Sequence, residues 1–282
     1  MRNAAAGNKK NRRKRPLTAA AAAAVTAVLA LTALLSGCGK IGRPGAQFGE
    51  IIAAGRTAEA ELVPYIHCPP AGEYVVAQGA ATDGEFVYFL MRTSANGNGI
   101  ICKYSLKTRK FAGQSEPIYV FHGNDMTYDS AKKLLYIAHG STEGKILTAV
   151  DPDTLTVTEQ SIDIEKGAGA ITYSPARDRF AISQGGKSLH FFDGELNWLE
   201  SFDRLTGTGY TAQGMGSDEQ YIFFPMSGGE DNILQVYDWE GNYTGVVHIP
   251  TGWESESMFW TDGTYYVNFN HDGATLCRLV FR

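Results

Sequence analysis

The stretch Ala81–Met91, "ATDGEFVYFLM", joins a tight polar turn at Asp83 to a β-rich run, and the chain repeats that junction four more times. The other copies are "YDSAKKLLYIAH" (Tyr128–His139), "YSPARDRFAIS" (Tyr173–Ser183), "GSDEQYIFFPM" (Gly216–Met226) and "WTDGTYYVNFN" (Trp260–Asn270). The matching turn positions Asp83, Asp129, Ser174, Asp218 and Asp262 are 46, 45, 44 and 44 residues apart. A third β-rich run follows each: "IICKYSL", "KILTAVD", "SLHFFD", "ILQVYD" and "ATLCRLV". Turns rich in Gly, Asp and Asn separate them, and no long helical period intervenes. Asp at these turns, and again at Asp151, Asp193 and Asp238 ending third strands, is expected to satisfy local backbone groups.

A four-stranded unit recurring every 40–50 residues or so resembles a β-propeller. Five units predict an all-β, five-bladed β-propeller with blades at about 73–120, 121–166, 167–208, 209–251 and 252–282. The fifth unit has only three strands before Arg282, so "AEAELVPYI" (Ala58–Ile66) is expected to close it as the outer strand. The "GH…WD" signature is missing, which excludes a WD40 array. Trp198, Trp239 and Trp260 are expected to pack between blades.

The amino-terminal segment speaks to compartment. "MRNAAAGNKKNRRKRP" carries seven basic residues and no acid, an Ala/Leu-rich run follows over 17–35, and "LSGC" (Leu35, Ser36, Gly37, Cys38) closes it. Such an order is that of an export signal. Its ending resembles a bacterial lipobox, which implies a signal peptide over 1–37, lipidation of Cys38 and an extracytoplasmic, membrane-anchored protein. Residues 38–57, Gly-rich at first, read as a flexible tether to a domain over 58–282. Removing the seven leader cations shifts the formal charge from −5 to −12, an acidic balance that excludes nucleic acid as a partner. A monomer is expected. Cys68, Cys102 and Cys277 match no zinc spacing, and the pairing of any two stays open.

Propeller inner strands line a central channel, and alternate side chains share a face. Aligned on their turns, with one residue of slack in the last, the first strands give one column of Gln78, Asn124, Gly169, Gln213 and Glu256. Two residues earlier lie Val76, His122, Gly167, Thr211 and Glu254; two later lie Ala80, Met126, Ile171, Met215 and Met258. The expectation is a polar ring over an apolar plug. Asp125, out of phase with the ring, is expected to face away and pin its strand to a neighbour. Loops on the same face add Arg92, His139 and His271, with Tyr65 and Trp253 as flanking aromatics. A ligand-binding set follows: Gln78, His122, Asn124, Gln213, Glu254, Glu256, Arg92, His139 and His271.

Motif searches narrow the chemistry. "SQGGKS" (Ser183–Ser188) lacks the first glycine of a phosphate-binding loop, and "DPDTLT" lacks the later ligands of an EF-hand. No G-x-S-x-G elbow or zincin histidine pair occurs. The expected function is binding of a glycan, a peptide or an envelope protein, as five-bladed lectins do, with catalysis left open. Two alternatives use the same residues. Paired carboxylates resemble those of five-bladed arabinanase-type glycosidases, although the third acid of that set is missing. Asn124, Glu254 and Glu256 would also suit a divalent cation, Ca²⁺ or Mg²⁺, in a loose likeness to gluconolactonase-like propellers.

Overall fold

The computed structural model describes residues 58–95, 97–140 and 144–281. The leader, Cys38 and the tether lie outside the described residues, as do Asn96 and Glu143. The described chain is all β, without helices, and forms five antiparallel blades around a common centre.

Blade one holds β2 (Tyr74–Thr82), β3 (Phe86–Thr93) and β4 (Gly97–Ser105), with an outer edge split into β5 (Phe111–Gln114) and β6 (Ile118–Phe121). Both short strands pair with β4, and the break falls at Ser115–Pro117, where proline lacks the N–H a ladder needs. Blade two is β7 (Asp125–Asp129), β8 (Leu134–Ala138), β9 (Ile146–Val150) and β10 (Val157–Asp163). Blade three is β11 (Ala170–Ser174), β12 (Arg179–Gln184), β13 (Ser188–Asp193) and β14 (Trp198–Asp203). In blade four the inner strand is interrupted into β15 (Thr211–Ala212) and β16 (Gly216–Ser217), followed by β17 (Tyr221–Ser227), β18 (Asn232–Asp238) and β19 (Tyr243–Ile249). Blade five is β20 (Glu254–Thr261), β21 (Thr264–Asn270) and β22 (Ala274–Phe281), and β1 (Ala58–Cys68) completes it.

The ring closes through that last strand. β1 runs antiparallel to β22 from Ala60 opposite Phe281 to Cys68 opposite Ala274, and its first residues pair in parallel with β19 of blade four. Inner strands touch in sequence around the centre: β2 with β7, β7 with β11, β11 with β16, β16 with β20, and β20 with β2.

Turn chemistry agrees with the residues that fill it. Asp83 Oδ1 accepts from the Glu85 and Phe86 amides at 2.9 and 2.7 Å, and Asp218 Oδ1 does the same for Gln220 and Tyr221. Asp129, Asp151, Asp193 and Asp238 serve their own turns likewise. Asp262 and Gly263 form the two-residue β20–β21 loop with φ of 49° and 72°, the left-handed pair that a tight hairpin requires. Between blades, aromatic and aliphatic side chains form separate packed clusters, among them Phe223, Leu234 and Phe269 between blades four and five. Trp239 is buried as expected, but Trp198 is 44% exposed on β14, an outer strand with no blade beyond it. The three described cysteines are buried free thiols, Cys68 and Cys102 within one cluster.

Candidate functional site

The apolar plug is present: Ala80, Met126, Ile171, Met215 and Met258 are all buried at the inner strands. Directly above it the ladders break. β2 shifts register between Ala77 and Ala80, β20 shifts between Ser255 and Ser257, and blade four has no inner strand from Gln213 to Met215. Bulges re-aim side chains at functional rims. Here they act on Gln78, Gln213 and Glu256, three members of the predicted ring. Gly214 lies in the third break, and a Cβ there would stand 2.3 Å from the Glu256 carbonyl oxygen and 2.9 Å from the Asp125 carboxyl carbon. Only glycine lets the chains approach that closely.

At the mouth, Glu254 is exposed and held at both carboxylate oxygens. Gln213 Nε2 donates to Oε1 at 2.9 Å, and Asn270 Nδ2 donates to Oε2 at 3.1 Å. Glu256 sits beneath it, 2% exposed, and hydrogen-bonds to Glu254. Burial holds the Glu256 proton well above the usual carboxylate range; the charge of Glu254 and the hydrogen bond to it add to the shift, and Arg92 opposes it. Arg92 is buried at the end of β3, where Nη1 donates to the carbonyls of Thr93 and Ser94. His122 is half-buried, and burial followed by the charge of Arg92 lowers its pKa, leaving a neutral imidazole at pH 7. Gly140 packs against the Cβ atoms of both His122 and Asn124, so those two side chains lie together. An exposed glutamate, a buried carboxyl whose pKa is raised, a guanidinium and an imidazole whose pKa is lowered therefore group at the channel mouth.

The structure uses other predicted residues differently. Asn124 Nδ2 donates to the carbonyls of Gly169 and Gln213 at 2.7 and 2.8 Å, tying blade two to blades three and four. Gln78 is held in the wall: its Nε2 donates to the Ala77 carbonyl, while its buried Oε1 has no partner. His139 is not at the mouth. It is buried within blade two, Nε2 pairs with Thr148 Oγ1 at 2.8 Å, and burial pushes its pKa down to about 4. His271 is exposed at the rim of blade five, stacked on Trp253 with ring centroids 4.0 Å apart. Tyr65 does not flank the site. It lies on the outer strand β1, donating to the Leu106 carbonyl and packing on Tyr266.

Asp125 departs most from expectation. It pins its strand, but from inside the channel. Oδ1 accepts from the Met126 amide at 2.9 Å, and Oδ2 accepts from the Ile171 and Met215 amides at 2.9 and 2.8 Å. The carboxyl is fully buried, and burial raises its pKa against the pull of those three amides. Strict alternation turns Asp125 outward. The gap opened by Gly214 and the interrupted strand of blade four is what admits it. Asn270, the last residue of β21, orients Glu254 and accepts from the Ala77 amide, and also belongs to the site; its signal in the sequence is the polar run "NHDG" on the same face.

This geometry bears on both alternatives. A glycosidase pair stands about 5–10 Å apart across its substrate. Glu254 and Glu256 instead hydrogen-bond to each other, and the Asp125 carboxylate is occupied by backbone amides. A cation at Asn124, Glu254 and Glu256 fits no better. Both Glu254 oxygens already accept amide hydrogens, burial disfavours the charged form of Glu256, and Ca²⁺ takes about six to eight oxygens. Among the described residues no group of three His, Cys, Asp or Glu side chains is placed to hold a metal ion.

The shifted Glu256 proton has a measurable consequence. An unfolded glutamate ionises near its ordinary value of 4.5, whereas the folded protein keeps this proton to higher pH. Stability is therefore full below about 4.5 and falls as pH rises through the folded pKa. Thermal melts from pH 4.5 to 9 are expected to show the wild-type Tm falling with pH and a shallower fall in Glu256→Gln, the remainder coming from Asp125, whose pKa burial raises in the same direction. Equal slopes in the two proteins would refute the assignment.

No protein-family model matches the sequence, and no curated protein matches it either. Solved structures do match. The crystal structure of Myxococcus xanthus glutaminyl cyclase superposes with a TM-score of 0.58 at 13% identity, covering 80% of this chain and 97% of that one. Kuenenia stuttgartiensis hydrazine synthase gives a TM-score of 0.42 at 14% identity over 73% of this chain and 58% of its own. At such identities the likeness to the cyclase is one of fold: this chain is a five-bladed β-propeller.

Proposed function

We propose that the protein is a lipid-anchored, extracytoplasmic propeller that binds a polar ligand at its top central face, through a group that donates hydrogen bonds to Glu254. The lipobox-like "LSGC" supports the anchor and the compartment. The ligand reading rests on one observation: an exposed carboxylate at the channel mouth, oriented by Gln213 and Asn270, with Glu256, Arg92 and His122 grouped around it. A glycan hydroxyl or a peptide amine meets that chemistry. A panel of glycans and short peptides screened against the protein is expected to yield a ligand whose Kd rises at least tenfold in Glu254→Gln, since a charge-assisted bond contributes about 1.5–3 kcal/mol. Equal affinity in wild type and variant would sink the assignment.

A second reading is catalytic. Its support is the pairing of exposed Glu254 with buried Glu256, a carboxyl whose pKa burial raises. The name glutaminyl cyclase suggests a compatible reaction. The amine of an amino-terminal glutamine attacks its side-chain amide carbon, the C–N bond breaks, and ammonia leaves. Glu254 would take the amine proton and Glu256 would give one to the leaving nitrogen. Ammonia release from glutaminyl peptides, lost in both Glu254→Gln and Glu256→Gln, is the expected result of this reading. Tight peptide binding without ammonia would leave only the first.

A further inference from the structure

A second cavity opens between blades three and four, about 530 Å³ in volume, bounded by the β12–β13 turn and the segment from Arg204 to Gln213. Its charge is unusual for this chain. Asp and Glu outnumber Lys and Arg by 30 to 25, yet Lys187 and Arg204 line the cavity and no carboxylate does. Arg204 is 5% exposed. Its guanidinium carbon lies 3.4 Å over the Phe224 ring, and Nη2 donates to Gln235 Oε1 at 3.0 Å and contacts Met226 Sδ at 3.8 Å. Nε and Nη1 are buried with no hydrogen-bond partner, and Arg204 makes no ion pair among the described residues.

A buried cation without a counter-charge is costly, and so is each buried donor left unmet. Burial pulls the Arg204 pKa down to about 10, with Tyr237 opposing the shift and no carboxylate doing so. Nε shares its edge of the guanidinium with Nη2, so the two unmet nitrogens do not grip one anion together; the Nη1 edge is the one left to donate to an oxygen of a carboxylate or phosphate. Gly186 faces that edge: a Cβ there would come 3.8 Å from Nη1 and 3.2 Å from Ala212 Cβ. With glycine the edge is left clear of a side chain. Lys187 is exposed on the same turn and adds a second positive charge at the entrance. "SQGGKS" thus has a use other than a nucleotide loop.

We propose that this cavity is a binding site for an oxyanion, with Arg204 Nη1 as its buried donor and Lys187 at its rim. The site stands apart from the reading of Glu254, although Asn124 and Gln213 border both. Full-length protein is melted and titrated calorimetrically with inorganic phosphate and, separately, with acetate, replacing chloride at constant ionic strength. A saturable rise in Tm of about 5–10 °C at a hundredfold excess over Kd is expected with at least one of the two ions. Whichever ion saturates identifies the source chemistry. Lys187→Ala is expected to weaken binding about tenfold, and Arg204→Met to abolish it. Should Arg204→Met not fold, Arg204→Lys keeps the charge but not the Nη1 donor, and at least a tenfold loss is expected. No saturable response to either ion, or equal responses in wild type, Lys187→Ala and the Arg204 variants, would overturn the proposal.

Discussion

Replacing Asp125 by alanine is expected to lower the free energy of unfolding by about 3–5 kcal/mol, a third or more of what a typical domain has. The side chain is fully buried and accepts amide hydrogens from Met126, Ile171 and Met215, which belong to blades two, three and four. Alanine strands three donors in a channel closed below by methionines. Two effects compete. Removing a buried carboxyl relieves its desolvation, the same effect that raises its pKa. Leaving each amide unmet costs about 1–3 kcal/mol, and there are three of them, so the loss wins. Asparagine retains one acceptor but turns an NH₂ toward a donor, and an intermediate loss is expected. Urea denaturation with an unchanged m-value would measure both. Losses below about 1 kcal/mol for alanine would show that water replaces the carboxylate and that the blades do not need this tie.

Deleting residues 58–68 is expected to abolish cooperative folding. β1 covers the whole of β22, and it buries Ala60, Ile66 and Cys68 against blades four, five and one. Without it, β22 becomes an open edge and the ring loses its clasp between the two ends of the chain. The milder Ile66→Ala is expected to cost about 2–5 kcal/mol, the usual range for a buried aliphatic truncation. A rescue separates loss of the strand from loss of sequence. Ala60 lies opposite Phe281, so the same eleven residues attached after the end of β22 through a short turn enter as an antiparallel hairpin. A sigmoidal melt restored by that transfer is the expected result. A deletion variant that melts as sharply as wild type would show that three strands suffice in blade five.

The fold was legible because a propeller is written in periods. Turn residues at 44–46-residue intervals, Asp-Gly at 262–263 and short alternating runs each state a local rule, and every local rule pointed to the same blade. The missing strand after Arg282 pointed to closure from the amino-terminal side, and β1 provides it. The plug was legible for the same reason, since Met126, Ile171 and Met215 recur three residues before their turns and Met258 four before its own. At the site, sequence brought Glu254, Glu256, Gln213, His122 and Arg92 to one mouth. It misplaced Asp125, His139 and Tyr65 and gave Asn124 and Gln78 the wrong partners.

What the sequence by itself determined was periodic: the number of blades, their closure and the layer at which polar residues give way to apolar ones. Tertiary structure alone decided which polar groups meet. Alternation predicts direction only along an unbroken ladder, and the ladders break at Gln78, Gln213 and Glu256. Past those breaks, side-chain direction depends on how closely neighbouring blades approach, which Gly214 permits and no spacing in the chain encodes. The raised Glu256 pKa and the lowered Arg204 pKa arise in the same way, because burial is a property of packed neighbours from distant parts of the chain.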